Sequence, residues 1–221
     1  MVKSLFFIVF IVSIHLIAWS PPPPTTFIPE HGKGFFALTG SYIKVEEELE
    51  TGNRGEIEAY SGGAYFFHGF ETDLAYGIGM EYISGNGDQQ IINAQDQVQT
   101  VATDLQIYAP TVFLVYTLTG GAMRNGLALT VGFSKMYFKI KDYEPYDKNV
   151  IRFGLIGQYF LLQPLAFVPY IEWALNGQTG ADLVLHLRGF QISIGSALSL
   201  FGKTDEEDKG INYSFSIRKT W

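Results

Sequence analysis

Hydrophobic and polar residues alternate along most of the chain after about residue 33. In residues 74–82, Leu, Tyr, Ile, Met and Tyr occupy every second position, and the residues between them are small or acidic. Residues 127–134 repeat the pattern, with Leu, Leu, Val and Phe alternating with Ala, Thr, Gly and Ser. A period of two places one set of residues on each face of a β-strand. The pattern therefore predicts a series of one-sided strands, with no amphipathic helix.

Ten strands account for this pattern best. Breaks rich in Gly, Asn and Asp separate nine alternating segments and a less regular tenth, residues 178–187, which follows the hairpin-type pair Asn176-Gly177. Two alternatives stay open for this part of the chain, namely a helix over 181–187 or a total of eight strands. The nine regular segments are residues 34–46, 56–68, 72–84, 101–118, 127–140, 150–162, 166–175, 190–200 and 211–221.

The last segment carries the most specific pattern. Its apolar face consists of Tyr213, Phe215, Ile217 and Trp221, interrupted by Lys219. This segment resembles the closing strand of Gram-negative outer-membrane β-barrels, which ends in an aromatic residue that the insertion machinery recognises. Taken alone, the segment would also suit the edge strand of a β-sandwich, although exposed apolar edges invite pairing with other chains.

The resemblance is broad, to the group of small barrels that includes OmpX-, OmpW- and Opa-like proteins, and it covers residues 34–221 in architecture only. It implies an all-β, antiparallel, transmembrane up-and-down β-barrel in the outer membrane. It also implies outer-membrane lipid, lipopolysaccharide and the barrel-insertion machinery as partners. Bacterial barrels of this kind have an even strand number because both chain ends face the periplasm. This favours ten strands and leaves eight as the alternative.

Ten strands define the expected connections. Extracellular loops are expected at 47–55, 85–100, 141–149, 176–177 and 202–210, and periplasmic turns at 69–71, 119–126, 163–165 and 188–189. Aromatic residues near the strand ends are expected to form girdles at the two membrane interfaces. The candidates are Tyr42, Tyr65, Phe67, Tyr82, Tyr116, Tyr137, Phe201 and Trp221.

The first 33 residues stand apart from the predicted barrel domain, residues 34–221. Residues 1–20 have the features of a signal peptide, because Lys3 precedes an apolar run that is shorter than the roughly 20 residues of a spanning helix. Cleavage is expected after Ser20 or after Ala18, and an uncleaved membrane anchor is the alternative. Residues 21–33 are proline-rich and predict an extended, flexible periplasmic lead.

Composition narrows the class of function. Charged residues make up 17% of the chain and aromatic residues 15%, with 24 glycines, which indicates β-structure rather than a helical bundle. The net charge of −7 argues against a nucleic-acid partner. The absence of cysteine excludes disulfides, thiolate chemistry and the lipid-modified cysteine of a lipoprotein.

Polar residues on the predicted inner faces are the candidate site. Eight to ten strands enclose a lumen that side chains fill, so charges buried there must be paired. We expect Glu81 and Glu172 to meet an Arg or Lys across the lumen, as a structural ion-pair plug rather than a gated pore or ligand site. The candidates are Glu81, Lys135, Arg152, Glu172, His186 and Arg188, with Lys135 alternatively above the membrane rim.

The sequence lacks the catalytic patterns of outer-membrane enzymes. Acyl hydrolases need a serine close to a histidine, but His186 is followed by Leu187 and Arg188, and no Asp-x-His of the outer-membrane proteases occurs. The acidic run 205–208 lacks the spacing of a Ca²⁺ loop and predicts a solvated external loop. We therefore expect no catalytic residues, no metal and no cofactor.

Three functions remain. The preferred one is a non-enzymatic surface or structural barrel that presents extracellular loops, such as an adhesin or an envelope-stability protein. The second is a narrow channel for small or hydrophobic solutes. The third is a secreted, lipocalin-like carrier. A carrier would turn its apolar residues inward, whereas a membrane barrel turns them toward lipid, so the direction of the apolar faces separates the two.

Deletion of Trp221 should reduce the amount of inserted barrel, because the closing strand loses the aromatic end that the resemblance assigns to insertion. The measurement is the heat-modifiable band of the protein in outer-membrane fractions. Trp221→Phe keeps a terminal aromatic residue and should insert normally. Normal surface levels of the truncated chain would refute this prediction.

Overall fold

Ten strands form a closed barrel. The structure, a computed structural model, describes residues 32–48, 54–71, 73–92, 98–121, 124–141, 144–174, 177–200 and 209–220. Each strand is antiparallel to its neighbours, and the first pairs with the last, which confirms the predicted ten-stranded up-and-down barrel. The strands are β1 Gly34–Glu48, β2 Arg54–Gly69, β3 Leu74–Ile92, β4 Val98–Gly121, β5 Arg124–Ile140, β6 Tyr146–Leu162, β7 Leu165–Trp173, β8 Gly177–Leu187, β9 Phe190–Leu200 and β10 Lys209–Thr220.

The closing strand pairs as predicted. The β1–β10 ladder runs from Phe35 opposite Thr220 to Glu46 opposite Lys209. β1 also pairs with β2, and β10 with β9, so both terminal strands have a partner on each side and the sheet has no open edge. Trp221 lies outside the described residues.

β8 determines the strand count. It pairs with β7 from Leu165 opposite Leu185 to Trp173 opposite Gly177, and with β9 over its whole length. The helix over 181–187 and the eight-strand scheme are therefore both wrong. The physical reason is that β7 and β9 each need a second partner, and only the segment between them in sequence can reach both.

The strands extend further at the end opposite the chain termini than the sequence pattern indicated. β3 reaches Ile92 and β4 begins at Val98, which are directly opposite each other. Most of the predicted loop 85–100 is therefore a paired ladder, and that prediction is wrong. Polar residues such as Asn86 and Asp88 fit this ladder because they point outward, which is favourable where the wall stands in water beyond the membrane.

Two short turns at the other end, 163–164 and 188–189, agree with the sequence analysis to within a residue. The predicted turn 119–126 is too long, because β4 continues to Gly121 and β5 begins at Arg124. The predicted signal peptide 1–20, residues 21–31 of the predicted lead, Phe201 and the acidic run 205–208 lie outside the described residues. Within the described ranges, the chain has no helix long and apolar enough to cross a membrane.

The outer wall carries a belt of exposed hydrophobic side chains. Ile78, Val112 and Ile194 are 55%, 52% and 59% exposed, which would be costly in water and is favourable against acyl chains. Aromatic residues bound the belt on both sides. The upper set, the tyrosine row, consists of outward-facing Tyr42, Tyr60, Tyr82, Tyr108, Tyr137 and Tyr213, and the lower set includes Phe36, Tyr76, Tyr116, Tyr159, Phe167 and Phe190.

Two residues predicted for these girdles point into the lumen instead. Tyr65 and Phe67 are each 1% exposed. Three aromatic residues follow one another at 65–67, so residue type alone does not reveal the inward face. The neighbouring strand decides it, because Gly79 is opposite Tyr65 and Gly77 is opposite Phe67. Each ring lies over its glycine, where a Cβ atom would collide with it.

At the tyrosine row and above it, the inner face of the barrel becomes apolar and the outer face becomes polar. Met136, Phe138 and Ile140 of β5 are buried inside the barrel, whereas Lys139 between them is exposed outside. Phe138 stacks on Tyr146 with ring centres 4.7 Å apart, and burial raises the pKa of the Tyr146 phenol, which keeps it neutral. Polar outside and apolar inside is the pattern of a barrel surrounded by water. The upper apolar cluster comprises Ile43, Ala59, Ile83, Leu105, Ile107, Ala109, Met136, Phe138, Ile140 and Val150.

Gly79→Ala should destabilise the barrel by about 1–3 kcal/mol, because the added methyl group overpacks against the buried Tyr65 ring. Gly40→Ala is the matched control, since its Cβ would point outward and approach nothing closer than the Ser61 carbonyl oxygen at 3.8 Å. Urea unfolding in detergent micelles, followed by loss of the heat-modifiable band, measures both. Equal midpoints for the two variants would contradict the packing account.

Candidate functional site

An ion-pair cluster crosses the lumen below the upper apolar cluster. Arg152 on β6 donates from Nε to Glu172 Oε1 on β7 at 2.5 Å, and its Nη1 lies 3.7 Å from Glu81 Oε2 on β3. Gln178 on β8 donates from Nε2 to the second Glu172 oxygen at 3.4 Å. The guanidinium carbon of Arg152 also lies 5.5 Å from the centre of the Phe113 ring. One guanidinium therefore connects β3 with β6 and β7 across the barrel.

Each charged side chain of the cluster faces a glycine on a neighbouring strand. The space that a Cβ atom would take at these glycines is filled mainly by other side chains, namely the Phe113 ring at Gly132, Tyr65 and Thr39 at Gly63, and Thr130 at Gly154. The strand order thus positions the cluster through pairs that the sequence does not display as neighbours. The pairs are Gly132 opposite Arg152, Gly154 opposite Glu172, and Gly63 opposite Glu81.

The three charged side chains of the cluster are buried, so their pairing matters for stability. Glu81, Arg152 and Glu172 are 1%, 6% and 2% exposed. Removing a charge from water costs several kcal/mol, which is offset only by close opposite charges and hydrogen bonds. Here one positive side chain lies between two negative ones. The arrangement can hold three strands together and block the lumen at its level.

A second polar group, the arginine row, lies on the β8–β10 wall. His186, Gln191 and Arg218 are successive partners across three neighbouring strands. Arg218 Nη1 donates to Gln191 Oε1 at 3.3 Å, and Gln191 Nε2 lies 3.3 Å from His186 Nδ1. Arg218 Nη2 donates to Ser216 Oγ at 3.3 Å. The Arg218 side chain is among the most buried of the described residues, at 1% exposed.

The structure divides the residues that the sequence analysis assigned to one lumen group. It brings Glu81, Arg152 and Glu172 together, and both glutamates lie beside the Arg152 guanidinium. His186 faces the lumen but belongs to the arginine row. The predicted group therefore forms two separate groups. They are separate because β8 contacts the ion-pair cluster through Gln178 at one end and carries His186 at the other end.

Two assigned residues lie outside the lumen. Arg188 is exposed in the β8–β9 turn, because the chain reverses direction there before another inward position is reached. Lys135 points outward and pairs with Asp147 at 3.1 Å, since the alternation of β5 does not shift. The sequence analysis also missed Arg218 and Asp182 as site residues, although both stand on the polar faces of their strands.

The predicted insertion signal lies on the lipid-facing side of β10. Its described members face outward and are between 44% and 55% exposed. Their position on the belt makes them accessible from the membrane, which is compatible with recognition during insertion. They are Tyr213, Phe215 and Ile217, while Trp221 lies outside the described residues.

A groove of about 510 Å³ lies on the outer wall, at the tyrosine row and above it. Two of its carboxylates are already engaged, since Lys44 Nζ lies 2.8 Å from Glu56 Oε1 and the Tyr42 hydroxyl donates to Glu58 Oε1 at 2.8 Å. In the part of the chain that the structure describes, no cluster of three or more His, Asp or Glu is arranged to hold a metal. The lining residues are Glu56, Glu58, Tyr60, Ser84, Gly85, Asn86, Gly87 and Asp88.

Comparison with known proteins identifies the kind of fold. No family model matches the sequence, and no curated protein matches it either. An outer-membrane channel from Pseudomonas putida F1 aligns with a TM-score of 0.52 at 7% identity, over 91% of this chain and 100% of the other. The transport unit of the autotransporter AIDA-I from Escherichia coli aligns with a TM-score of 0.50 at 9% identity, over 94% of this chain and 95% of the other. The chain therefore has the fold of transmembrane outer-membrane β-barrels.

Arg152→Met should destabilise the barrel by about 3–5 kcal/mol, because Glu81 and Glu172 lose the positive charge that compensates their burial. Lys135→Met is the matched control, because it removes an ion pair with Asp147, at 3.1 Å, on the outer surface. Its effect on stability should be small, since water screens exposed ion pairs. Urea unfolding of both variants in micelles provides the comparison. A smaller effect at Arg152 than at Lys135 would disprove the assignment.

Proposed function

We propose that the protein is an integral outer-membrane barrel without enzymatic activity, which keeps its lumen closed and presents extracellular loops at the cell surface. The observation that carries this proposal is the filling of the lumen by its own side chains at successive levels. A closed barrel offers its surroundings only its lipid-facing wall and its loops. Its contribution to the cell is then made by those loops or by the barrel as an envelope component.

Three layers support a closed lumen. The upper apolar cluster fills the end beyond the tyrosine row, and the ion-pair cluster follows below it. A lower aromatic layer comes next, in which Phe67 stacks on Phe35 at 4.8 Å and lies 6.0 Å from Phe113 between ring centres. Each layer fills its part of the lumen with packed apolar side chains or with paired charges.

The belt on the outer wall supports a membrane location and argues against the lipocalin-like carrier. A carrier in water would expose polar residues on its outer face over the whole height of the barrel. Here the outer faces between the two aromatic sets are hydrophobic and substantially exposed. Outer-membrane lipid and lipopolysaccharide are the partners that such a wall requires, and the insertion machinery is the partner proposed for β10.

A non-enzymatic role is supported by the surroundings of the described histidines. His68 stacks against Tyr76 with ring centres 5.7 Å apart, and His186 contacts Gln191 and the Phe160 ring. Among the described residues neither histidine has a serine hydroxyl as a hydrogen-bond partner. A nucleophile and its base would need that contact.

A narrow channel is the second candidate, and one observation favours it. The β8–β10 wall holds buried polar atoms without a hydrogen-bond partner, among them both side-chain polar atoms of Asn212. Such atoms are usually satisfied by water. A thread of water along this wall would pass beside the apolar layers.

We expect an epitope inserted at 93–97, between β3 and β4, to be bound by antibody on intact cells, because this connection lies at the end opposite the chain termini. An epitope at 122–123, between β4 and β5, is the matched control and should be detected only after permeabilisation. The purified barrel should produce no conductance steps in planar bilayers. Regular steps would support the channel, and a reversed epitope pattern would refute the loop-presenting orientation.

A further inference from the structure

We propose that the arginine row forms a binding site for a small oxyanion of the carboxylate type, entered from the periplasmic end of the lumen. The proposal concerns the wall formed by β8, β9 and β10. It does not depend on whether the barrel conducts, because the site can be a closed-ended pocket below the ion-pair cluster.

Arg152 and Arg218, which are both buried in the lumen, differ in the negative charge close to them. Arg152 has two carboxylates as close partners. Arg218 is more deeply buried, yet it donates to the neutral groups Gln191 and Ser216, and no carboxylate among the described residues forms an ion pair with it. A guanidinium taken from water without a close opposite charge is strongly unfavourable. A bound anion would supply the missing charge.

Unused hydrogen-bond donors lie in the same row. The Arg218 Nε–H group has no partner. The Gln191 amide nitrogen can only donate, so its contact with His186 Nδ1 makes that atom the acceptor and places the imidazole proton on Nε2. His186 Nε2 also has no partner. Two donors on buried side chains, one of them charged, are the groups that recognise a carboxylate or phosphate oxygen.

The row is close to the periplasmic mouth. His186 and Gln191 are directly opposite each other, and only the pair Leu187 and Phe190 separates them from the turn at 188–189. The ion-pair cluster lies on the other side of the row, further from the chain termini, since its Gln178 stands near the far end of β8. A small anion that enters along the β8–β10 wall therefore meets the row before the ion-pair cluster, and it passes beside the lower aromatic layer, whose Phe35 lies on the adjacent strand β1.

Asp182 limits the charge that the site accepts. It faces the lumen further along the same wall, opposite Gly195, and its Oδ1 atom has no partner. Its negative charge offsets part of the Arg218 potential and repels a second negative charge on a ligand. A singly charged carboxylate is therefore expected to bind better than doubly charged phosphate.

Histidine NMR on the full-length barrel in a non-ionic detergent tests the proposal. Acetate, phosphate and chloride are titrated separately at constant ionic strength into protein with ¹⁵N-labelled histidine, and His186→Phe assigns the signal. Acetate should shift the His186 imidazole signal saturably, phosphate more weakly, and chloride least. His68 lies on the outer face against Tyr76 and is the internal control, whose signal should not move.

Arg218→Gln should weaken acetate binding at least about tenfold, the loss expected for a charged hydrogen bond. Arg218→Lys keeps the positive charge but lacks the forked donors, so its acetate affinity should lie between that of the unmodified barrel and that of Arg218→Gln. If neither variant folds, the unfolding midpoint of the unmodified barrel, which bound acetate should raise and chloride should not, decides the question. An unsaturable His186 shift, an equal shift at His68, or tighter binding of phosphate than acetate would overturn the proposal.

Discussion

The pairing of β10 with β1 closes the sheet, and the other features of the barrel follow from that closure. A lipid bilayer offers no water to the backbone, so every N–H and C=O group within it needs a partner in the protein. The ladder between Phe35–Thr220 and Glu46–Lys209 provides these partners for the two strands that would otherwise be edges. Once the sheet is closed, strict alternation assigns each residue to one of two surfaces. The outer surface faces lipid or water, and the inner surface faces only other side chains.

The inner surface is organised by glycines as much as by charges. Glu81, Arg152 and Glu172 each face a glycine across the ladder, and Asp182 faces Gly195. At Gly77 and Gly195 the space that a Cβ atom would take is filled by the Phe67 ring and the Asp182 carboxylate. The Tyr65 ring lies over Gly79 in the same way. The two arginines differ in their hydrogen-bond partners. Arg152 lies between two carboxylates, whereas the Nε–H group of Arg218 has no partner.

The sequence predicted features that depend on local alternation and failed where the environment changes along a strand. It predicted the strand at 190–200 with its observed bounds and the charge pairing of Glu172, because alternation and the cost of buried charge are properties of any barrel. It did not predict the apolar interior at Met136 or the ladder beyond Gly85. Both lie where the wall leaves the membrane and its outer face meets water instead of lipid. Side chains still alternate between the two faces there, but the inner face is apolar and the outer face is polar, the reverse of the arrangement within the membrane.

Period-two alternation and an aromatic closing strand are written locally along the chain, so they predicted an antiparallel barrel without knowledge of any long-range contact. The strand count depends on the pairing of β8 with β7 and β9, and the membership of the two lumen groups also depends on long-range pairing. Residues of a group such as His186, Gln191 and Arg218 lie on separate strands, and their proximity depends on register. Register is set by closure of the whole sheet, so no single segment contains the information that brings these side chains together.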